Sequence, residues 1–384
     1  MLQLSGKILA INGFDAVQIR PIFSVSQNPK LPAVIASSMG YLGPQSDTEG
    51  QFGFYAVFTE RDLSSGDKPK VLLPQSASFL ADRDIIRINT VDKSYRVLFR
   101  AQAPSNSLLL TERCNHYCLM CSQPPRDVDD SWLVDDIEKV LTLIPPSATA
   151  LGFTGGEPTL LKDRFLKLVR LTRNYLPHTG LHILSNGRSF SDLEFSKQLS
   201  EVRHPDLMMG IPVYSADPVR HDYVVQSQGA FAETIRGILN LKRTGTRVEI
   251  RVVLHKQTID GLVRLAEFIS RNLLLVDQVA LMGLEVTGFT KGNLPKLWID
   301  PWDYRHKLEE AVQLLAAYRI NVKVFNHQLC TVTDAIRPYC VKSISDWKSE
   351  YLDACVSCAA KSSCGGLFSS TIKEHHSKHI HAIS

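Results

Sequence analysis

Two different rhythms of apolar and polar residues divide the chain. Up to about residue 103 the apolar positions come in short alternating runs: Ala16–Arg20, Phe54–Phe58, Ile86–Ile88 and Tyr95–Phe99. Clusters of turn-forming residues separate them, such as Ser64–Asp67 and Asp92–Ser94. Period two bounded by turn residues predicts half-buried strands. Only the stretch Gln75–Leu80 suggests a helical turn, so residues 1–103 read as a β-rich accessory domain without an evident catalytic constellation.

From Ser107 the pattern becomes strand, loop, helix, repeated. Continuous apolar runs at Leu108–Thr111, Ala150–Phe153, Leu181–Leu184, Leu207–Val213, Val248–Leu254 and Val279–Leu284 predict buried strands. Stretches with 3.6-residue periodicity lie between and after them, at Leu133–Ile144, Phe165–Tyr175, Asp192–Val202, Phe231–Lys242, Leu262–Asn272 and Tyr304–Tyr318. Successive βα crossovers wind one way around a parallel sheet, and six of them fall short of an eight-stranded closed barrel. The predicted fold is α/β, a partial (β/α)6 TIM-like barrel with an N-terminal β-rich domain and a C-terminal extension. Ligands of such sheets collect at the carboxyl ends of the strands.

The candidate chemistry sits at those ends. In SLLLTERCNHYCLMCSQPP, the first strand delivers Cys114, Cys118 and Cys121 on one loop. Three thiolates can hold three irons of a cubane and leave the fourth iron open. The competing reading is a zinc knuckle, which wants a fourth ligand; His116 lies between the first two cysteines, where a ligand would be poorly aimed. After the second strand come Gly155, Gly156, Glu157 and Pro158, where paired glycines allow close backbone approach and a carboxylate stands beside them. Ser185, Asn186 and Gly187 follow the third strand, and Tyr214 to Asp217 the fourth. Arg251, on the fifth strand, suits a carboxylate or a solvated strand edge. His221 and Asp222 read either as a site pair or as a surface pair at a helix start.

Composition narrows the class. The 384 residues carry a net charge of +4, too small and dispersed to imply nucleic acid, and no apolar run is long enough to span a bilayer. The N-terminal sequence shows no export signal, and eight cysteines in two groups suit metal ligation in the cytoplasm better than disulfides. The second group is Cys330, Cys340, Cys355, Cys358 and Cys364. A closed cluster wants four ligands. Cys330, Cys355, Cys358 and Cys364 are the expected set, with Cys340 spare or substituting for Cys330; a structural zinc site is the alternative. The histidine-bearing tail, 371–384, reads as disordered.

CxxxCxxC on the first βα loop followed by GGEP on the second resembles the radical S-adenosylmethionine (SAM) superfamily, over about residues 104–300. The resemblance implies a [4Fe-4S] cluster on Cys114, Cys118 and Cys121 that chelates SAM. Gly155, Gly156 and Glu157 would bind the methionyl amine, Ser185, Asn186 and Ser215 the ribose or carboxylate, and Met120 would pack on adenine. It also implies an enzyme that reductively cleaves SAM to a 5′-deoxyadenosyl radical, which abstracts hydrogen from a substrate. The stretch from Cys355 resembles the auxiliary [4Fe-4S] extensions of peptide-modifying members, here residues 301–370. At full length, GIPVYSADPVRHDYVV, ALMGLEVTG and SISDWKSEYLDACVSCAAKSSCGGLF resemble the C-type maturases of the His-Xaa-Ser system. That implies a precursor peptide with His-Xaa-Ser repeats, a second radical SAM maturase, and a reducing protein such as flavodoxin or ferredoxin as partners. Two other readings stay open: a radical SAM enzyme acting on a small molecule, and a metal-binding scaffold without turnover.

Overall fold

Alternation builds the first sheet. The protein was analysed as a computed structural model that describes residues 4–15, 17–43, 53–59, 68–342, 350–371 and 375–384. Strands β1 (Ser5–Lys7), β2 (Ala10–Asn12), β3 (Ile22–Ser26), β4 (Gly40–Leu42), β5 (Ala56–Thr59), β6 (Lys70–Leu72), β7 (Ile85–Asn89) and β8 (Ser94–Phe99) pair in the order β1-β8-β7-β3-β4-β5-β6-β2. Pairing is antiparallel from β1 through β3, parallel from β3 through β6, and antiparallel again onto β2. Phe23, Phe58, Ile86, Ile88 and Tyr95 fill the core beneath it. Of the run Ala16–Arg20, Ala16 lies outside the described residues and 17–20 are not a regular strand; Ile19 O and Pro21 O accept from Thr90 and Ile88 N–H, but the strand proper begins at Ile22. Proline offers no N–H to a ladder, which suits the entry to a strand. The turn expected at Ser64–Asp67 and the stretch Ser343–Ser349 of the quoted tail motif lie outside the described residues.

The second sheet runs in chain order: β9 (Asn106–Leu109), β10 (Ala150–Thr154), β11 (Gly180–Leu184), β12 (Leu207–Pro212), β13 (Arg247–Leu254), β14 (Gln278–Gly283), β15 (Val322–Phe325) and β16 (Cys340–Val341). From β11 to β16 each strand is parallel to the next. β9 and β16 stand at opposite ends of the order, so the sheet is a curled, open, partial barrel. Its helices are α2 (Ser131–Leu143), α3 (Asp163–Tyr175), α4 (Leu193–Glu201), α5 (Pro218–Val225), α6 (Ala230–Arg243), α7 (Lys256–Ile259), α8 (Leu262–Asn272), α9 (Phe289–Leu297) and α10 (Arg305–Ala317), with a four-residue α1 (Ala33–Ala36) in the N-terminal region. The α8 face made of Leu262, Leu265, Ala266 and Ile269 is buried, as period 3.6 requires.

By contacts the chain separates into two compact units. One comprises Met1–Leu108, Trp132–Leu151 and Leu171–Gly180; the other comprises Leu109–Ser131, Gly152–Arg170 and Leu181–Ser384. Every functional residue discussed below belongs to the second unit. No helix among the described residues is long and apolar enough to cross a membrane.

Candidate active site

The cysteine loop extends the sheet's own ladder before leaving it. Leu110 N–H donates to Thr154 O at 2.8 Å, Gly156 N–H to Thr111 O at 2.7 Å, and Glu157 N–H to Arg113 O at 2.7 Å. The Gly-Gly-Glu segment therefore lies edge to edge with the residues that lead into Cys114. A Cβ at Gly155 would stand 2.5 Å from Thr111 O, and one at Gly156 2.1 Å from Arg113 O. Here the glycines admit the backbone of the cysteine loop, a reason for Gly-Gly that the sequence reading had assigned to a ligand.

Farther along, two helices hold the same loop by its backbone. Tyr117 N–H and Leu119 N–H donate to Val225 O and Val224 O at the end of α5, at 3.1 and 3.0 Å. At the start of α9, Phe289 N–H donates to Cys121 O at 2.8 Å, Thr290 Oγ1 to Met120 O at 3.2 Å, and Asn293 Nδ2 to Leu119 O at 2.9 Å. Gly288 caps α9 with φ of +53°, and a Cβ there would lie 2.2 Å from Cys121 O. Leu119, Met120 and Tyr214 join Val224, Val225, Ala230 and Leu297 in one apolar cluster, so the Met120 side chain packs on protein. The sequence pattern offers only a helix start near His221 for α5 and nothing for α9; the local signals are Asp217-Pro218, an N-cap followed by an N1 proline, and the glycine of LEVTG.

Glu157 is the electrostatic hub, 1% exposed. Its Oε1 accepts from Thr159 N–H at 3.0 Å, Thr159 Oγ1 at 2.6 Å and Ser185 Oγ at 2.8 Å; its Oε2 accepts from Asn186 N–H at 2.6 Å. Burial pushes its pKa up, and these four donors pull the other way. Asn186 Nδ2 reaches Asn115 Oδ1 at 2.6 Å, between the first two cysteines. Arg188 donates to Asn115 O at 3.3 Å and to Ser227 Oγ at 2.8 Å, and pairs with Glu233 at 2.5 Å. Ser185, Asn186, Glu157 and the cysteine loop are thus brought together. Ser215, one strand over, accepts from Asp217 N–H at 3.0 Å at the start of α5.

Deeper in the curled sheet, Glu249 and Arg251 share a face. Arg251 Nη1 donates to Glu249 Oε1 at 2.7 Å and Nη2 to Met282 Sδ at 3.0 Å, while His182 Nε2 lies 3.4 Å from Glu249 Oε1 and Gln278 Nε2 binds Glu249 Oε2. Gly210 leaves room for the group, since a Cβ there would come within 2.9 Å of His182 Nε2. Arg251 thus meets an internal carboxylate. Burial raises the Glu249 pKa, but His182 and Arg251 outweigh it and hold the carboxyl at about 2. A depressed acid contributes stability above its unfolded pKa and loses it as pH falls toward the folded value. Between about pH 5 and 2 the wild type should lose about 3 kcal/mol that a Glu249→Gln variant does not. Urea midpoints measured against pH should therefore fall more steeply for the wild type; parallel curves would remove the pair from the acid response.

His221 is 1% exposed and accepts from Tyr214 N–H at 3.2 Å, while Asp222 accepts from Gly229 and Phe231 N–H groups at 2.6 and 2.8 Å. Both lie inside α5, not at a helix start, and burial keeps His221 neutral with a pKa lowered to about 4. They brace the loop between α5 and α6.

The thiols fit a cationic guest. Burial pushes the Cys114 thiol up to about 12 and raises Cys118 and Cys121 as well, with no cation among the causes. A bound metal would supply charge that favours their thiolate forms. Among the described residues no three His, Cys, Asp or Glu side chains converge tightly enough to hold a single metal ion.

The second cysteine group forms its own recess. Cys330, Cys355, Cys358 and Cys364 line one small pocket, together with Tyr351, His381 and Ile383. Cys340 is not in its lining and directs its thiol to Ile336 O at 3.5 Å. Where a disordered tail was expected, residues 375–384 are placed against this region. The Trp302 and His379 rings stack at 4.7 Å, and Trp298 Nε1 donates to His375 O at 3.0 Å. Composition alone hid these contacts.

A parallel curled sheet with three cysteines on the first βα loop, clamped by the second, defines a class. Residues 108–269 match the model of the Radical SAM superfamily. Among curated proteins the chain is similar to Fe-coproporphyrin III synthase of Methanosarcina barkeri, 29% identical over 156 residues, covering 39% of this chain and 37% of that protein. Among solved structures it is similar to SuiB of Streptococcus suis bound to S-adenosylmethionine, with 18% identity, a TM-score of 0.46, and coverage of 59% and 51% of the two chains. It is also similar to anSMEcpe with bound AdoMet, with 19% identity, a TM-score of 0.44, and coverage of 56% and 60%. The chain thus spans well under two thirds of the length of each.

Proposed function

We propose that the protein is a radical SAM maturase that modifies a precursor peptide with His-Xaa-Ser repeats. The observation that carries this reading is the second pocket, lined by four cysteines drawn from 330 to 364, beyond the stretch that matches the Radical SAM model. It supports an auxiliary [4Fe-4S] cluster on Cys330, Cys355, Cys358 and Cys364, of the kind borne by the peptide-modifying enzymes that this stretch resembles. In the first site Cys114, Cys118 and Cys121 hold the other cluster, and SAM bound there supplies the hydrogen-abstracting radical. Gly155, Gly156 and Glu157 shape the site for the methionyl amine, with Glu157 as the negative charge that complements it. Ser185, Asn186 and Ser215 offer polar groups for the ribose and carboxylate. The apolar cluster around Met120 and Tyr214 keeps water from the loop.

The similarity to Fe-coproporphyrin III synthase favours a second reading, a small-molecule substrate such as an iron porphyrin. Coexpression with a His-Xaa-Ser repeat peptide separates the two. Mass spectrometry should find the peptide altered only when this protein is present, by loss of about two mass units for dehydrogenation or by deuterium uptake for epimerisation. An untouched peptide beside active SAM cleavage would turn the assignment toward the small molecule.

A further inference from the structure

The C-terminal ten residues do something the cysteines alone do not explain. Ser377 is 2% exposed, and Lys378 N–H donates to Asp300 Oδ2 at 3.3 Å. With the Trp302–His379 stack, this anchors the segment on the loop that follows α9. Beyond that anchor, Ile380, His381 and Ile383 become part of the wall of the four-cysteine cavity. Ala359 N–H, one residue past Cys358, donates to Ile383 O at 2.9 Å, and Ile383 N–H donates back to Cys358 Sγ at 3.3 Å. His381 lies beside Cys330 in the lining of the same pocket.

We propose that residues 377–384 are a strap that shuts the second cavity and tunes the cluster held there, by donating the Ile383 backbone N–H to Cys358. The proposal rests on reading this cavity as a cluster site. An N–H aimed at a ligand sulfur favours the more negative, reduced state, so each such bond makes reduction easier. Covering the cavity also slows the escape of iron and the entry of solvent. Side-chain identity at 383 matters little for the first effect, because the donor is the backbone.

Ile383→Pro removes that single N–H and keeps the carbonyl that Ala359 needs, while Ile383→Ala keeps both. The second cluster is isolated by placing each change in Cys118→Ala protein, reconstituted with iron and sulfide, and is followed by spectroscopic redox titration. Ile383→Pro should make one-electron reduction about tenfold less favourable, a midpoint about 59 mV lower, and Ile383→Ala should leave it unmoved. A chain ending at His376 should lose its iron to a chelator severalfold faster than the full chain. If the Cys118→Ala protein binds no iron, the cluster reading of the cavity fails and the strap falls with it. If it binds about four irons yet neither the midpoint nor the chelation rate responds, the cluster stands and the strap is refuted.

Discussion

A Cys118→Ala variant is expected to release no 5′-deoxyadenosine above background when reduced anaerobically with SAM, and its iron content should fall from about eight to about four atoms per chain. The magnitude follows from where Cys118 stands. On the proposed reading it is the middle ligand of the three; burial drives its thiol up, and its neighbours Tyr117 and Leu119 are fixed to the end of α5. Alanine removes the ligand and leaves the scaffold, because the backbone bonds that shape the loop do not involve the side chain. The remaining four irons report the second cavity. Unchanged turnover in this variant would remove the cluster from the first loop.

The second large effect concerns Gly156. A Cβ there would meet Arg113 O at 2.1 Å, its carbonyl carbon at 2.5 Å and Glu112 O at 2.9 Å, all backbone atoms. No side chain can swing away, so the strain must move the loop itself. Gly156→Ala is expected to cost about 3 kcal/mol of unfolding free energy, the upper part of the range for overpacking, and to lower iron loading of the first site. It separates the ladder at Gly156–Thr111 and Glu157–Arg113, the two bonds that set the position of Cys114. Gly292→Ala serves as control: a Cβ at that helical position meets nothing within 4 Å, and alanine should be neutral or stabilise by up to about 1 kcal/mol. Urea denaturation and iron analysis of the two variants give the comparison; equal stability would mean that the close approach carries no strain.

How much of this was legible before the structure depends on where each element gets its stability. β12, β13 and β14 are covered on both faces, so they read as unbroken apolar runs and their limits fall within about two residues of expectation. Helices α6 and α8 announce themselves through period 3.6. α5 and α9 do not. α9 contains Gly292 and Pro295, both poor helix formers, and is held in place by the carbonyls it caps on the cysteine loop. β15 and β16 span four and two residues, too short for a period to register. The pairing of β1 with β8 and of β2 with β6 joins segments more than fifty residues apart, which no local pattern encodes.

At the site, the cysteines and the Gly-Gly-Glu segment were visible because their chemistry needs fixed residue types at fixed spacing. What they touch was not. The glycines serve backbone against backbone, Glu157 gathers donors from two segments, and Arg188 went unnoticed because a single arginine after an Asn-Gly turn looks like any exposed charge. The tail misled for a related reason. Its polar composition reads as solvated, yet it is held through backbone groups and one aromatic stack.

The grip of α9 on the cysteine loop also sets a timetable for the ribosome. Cys114, Cys118 and Cys121 emerge early, but the donors that fix Leu119, Met120 and Cys121 come from Phe289, Thr290 and Asn293, some 170 residues later. At about 5–20 residues per second the loop waits on the order of ten seconds for its clamp. The wall residues Ile380, His381 and Ile383 of the second pocket likewise follow Cys330 by some fifty residues, so each group of cysteines is completed by a segment made well after it.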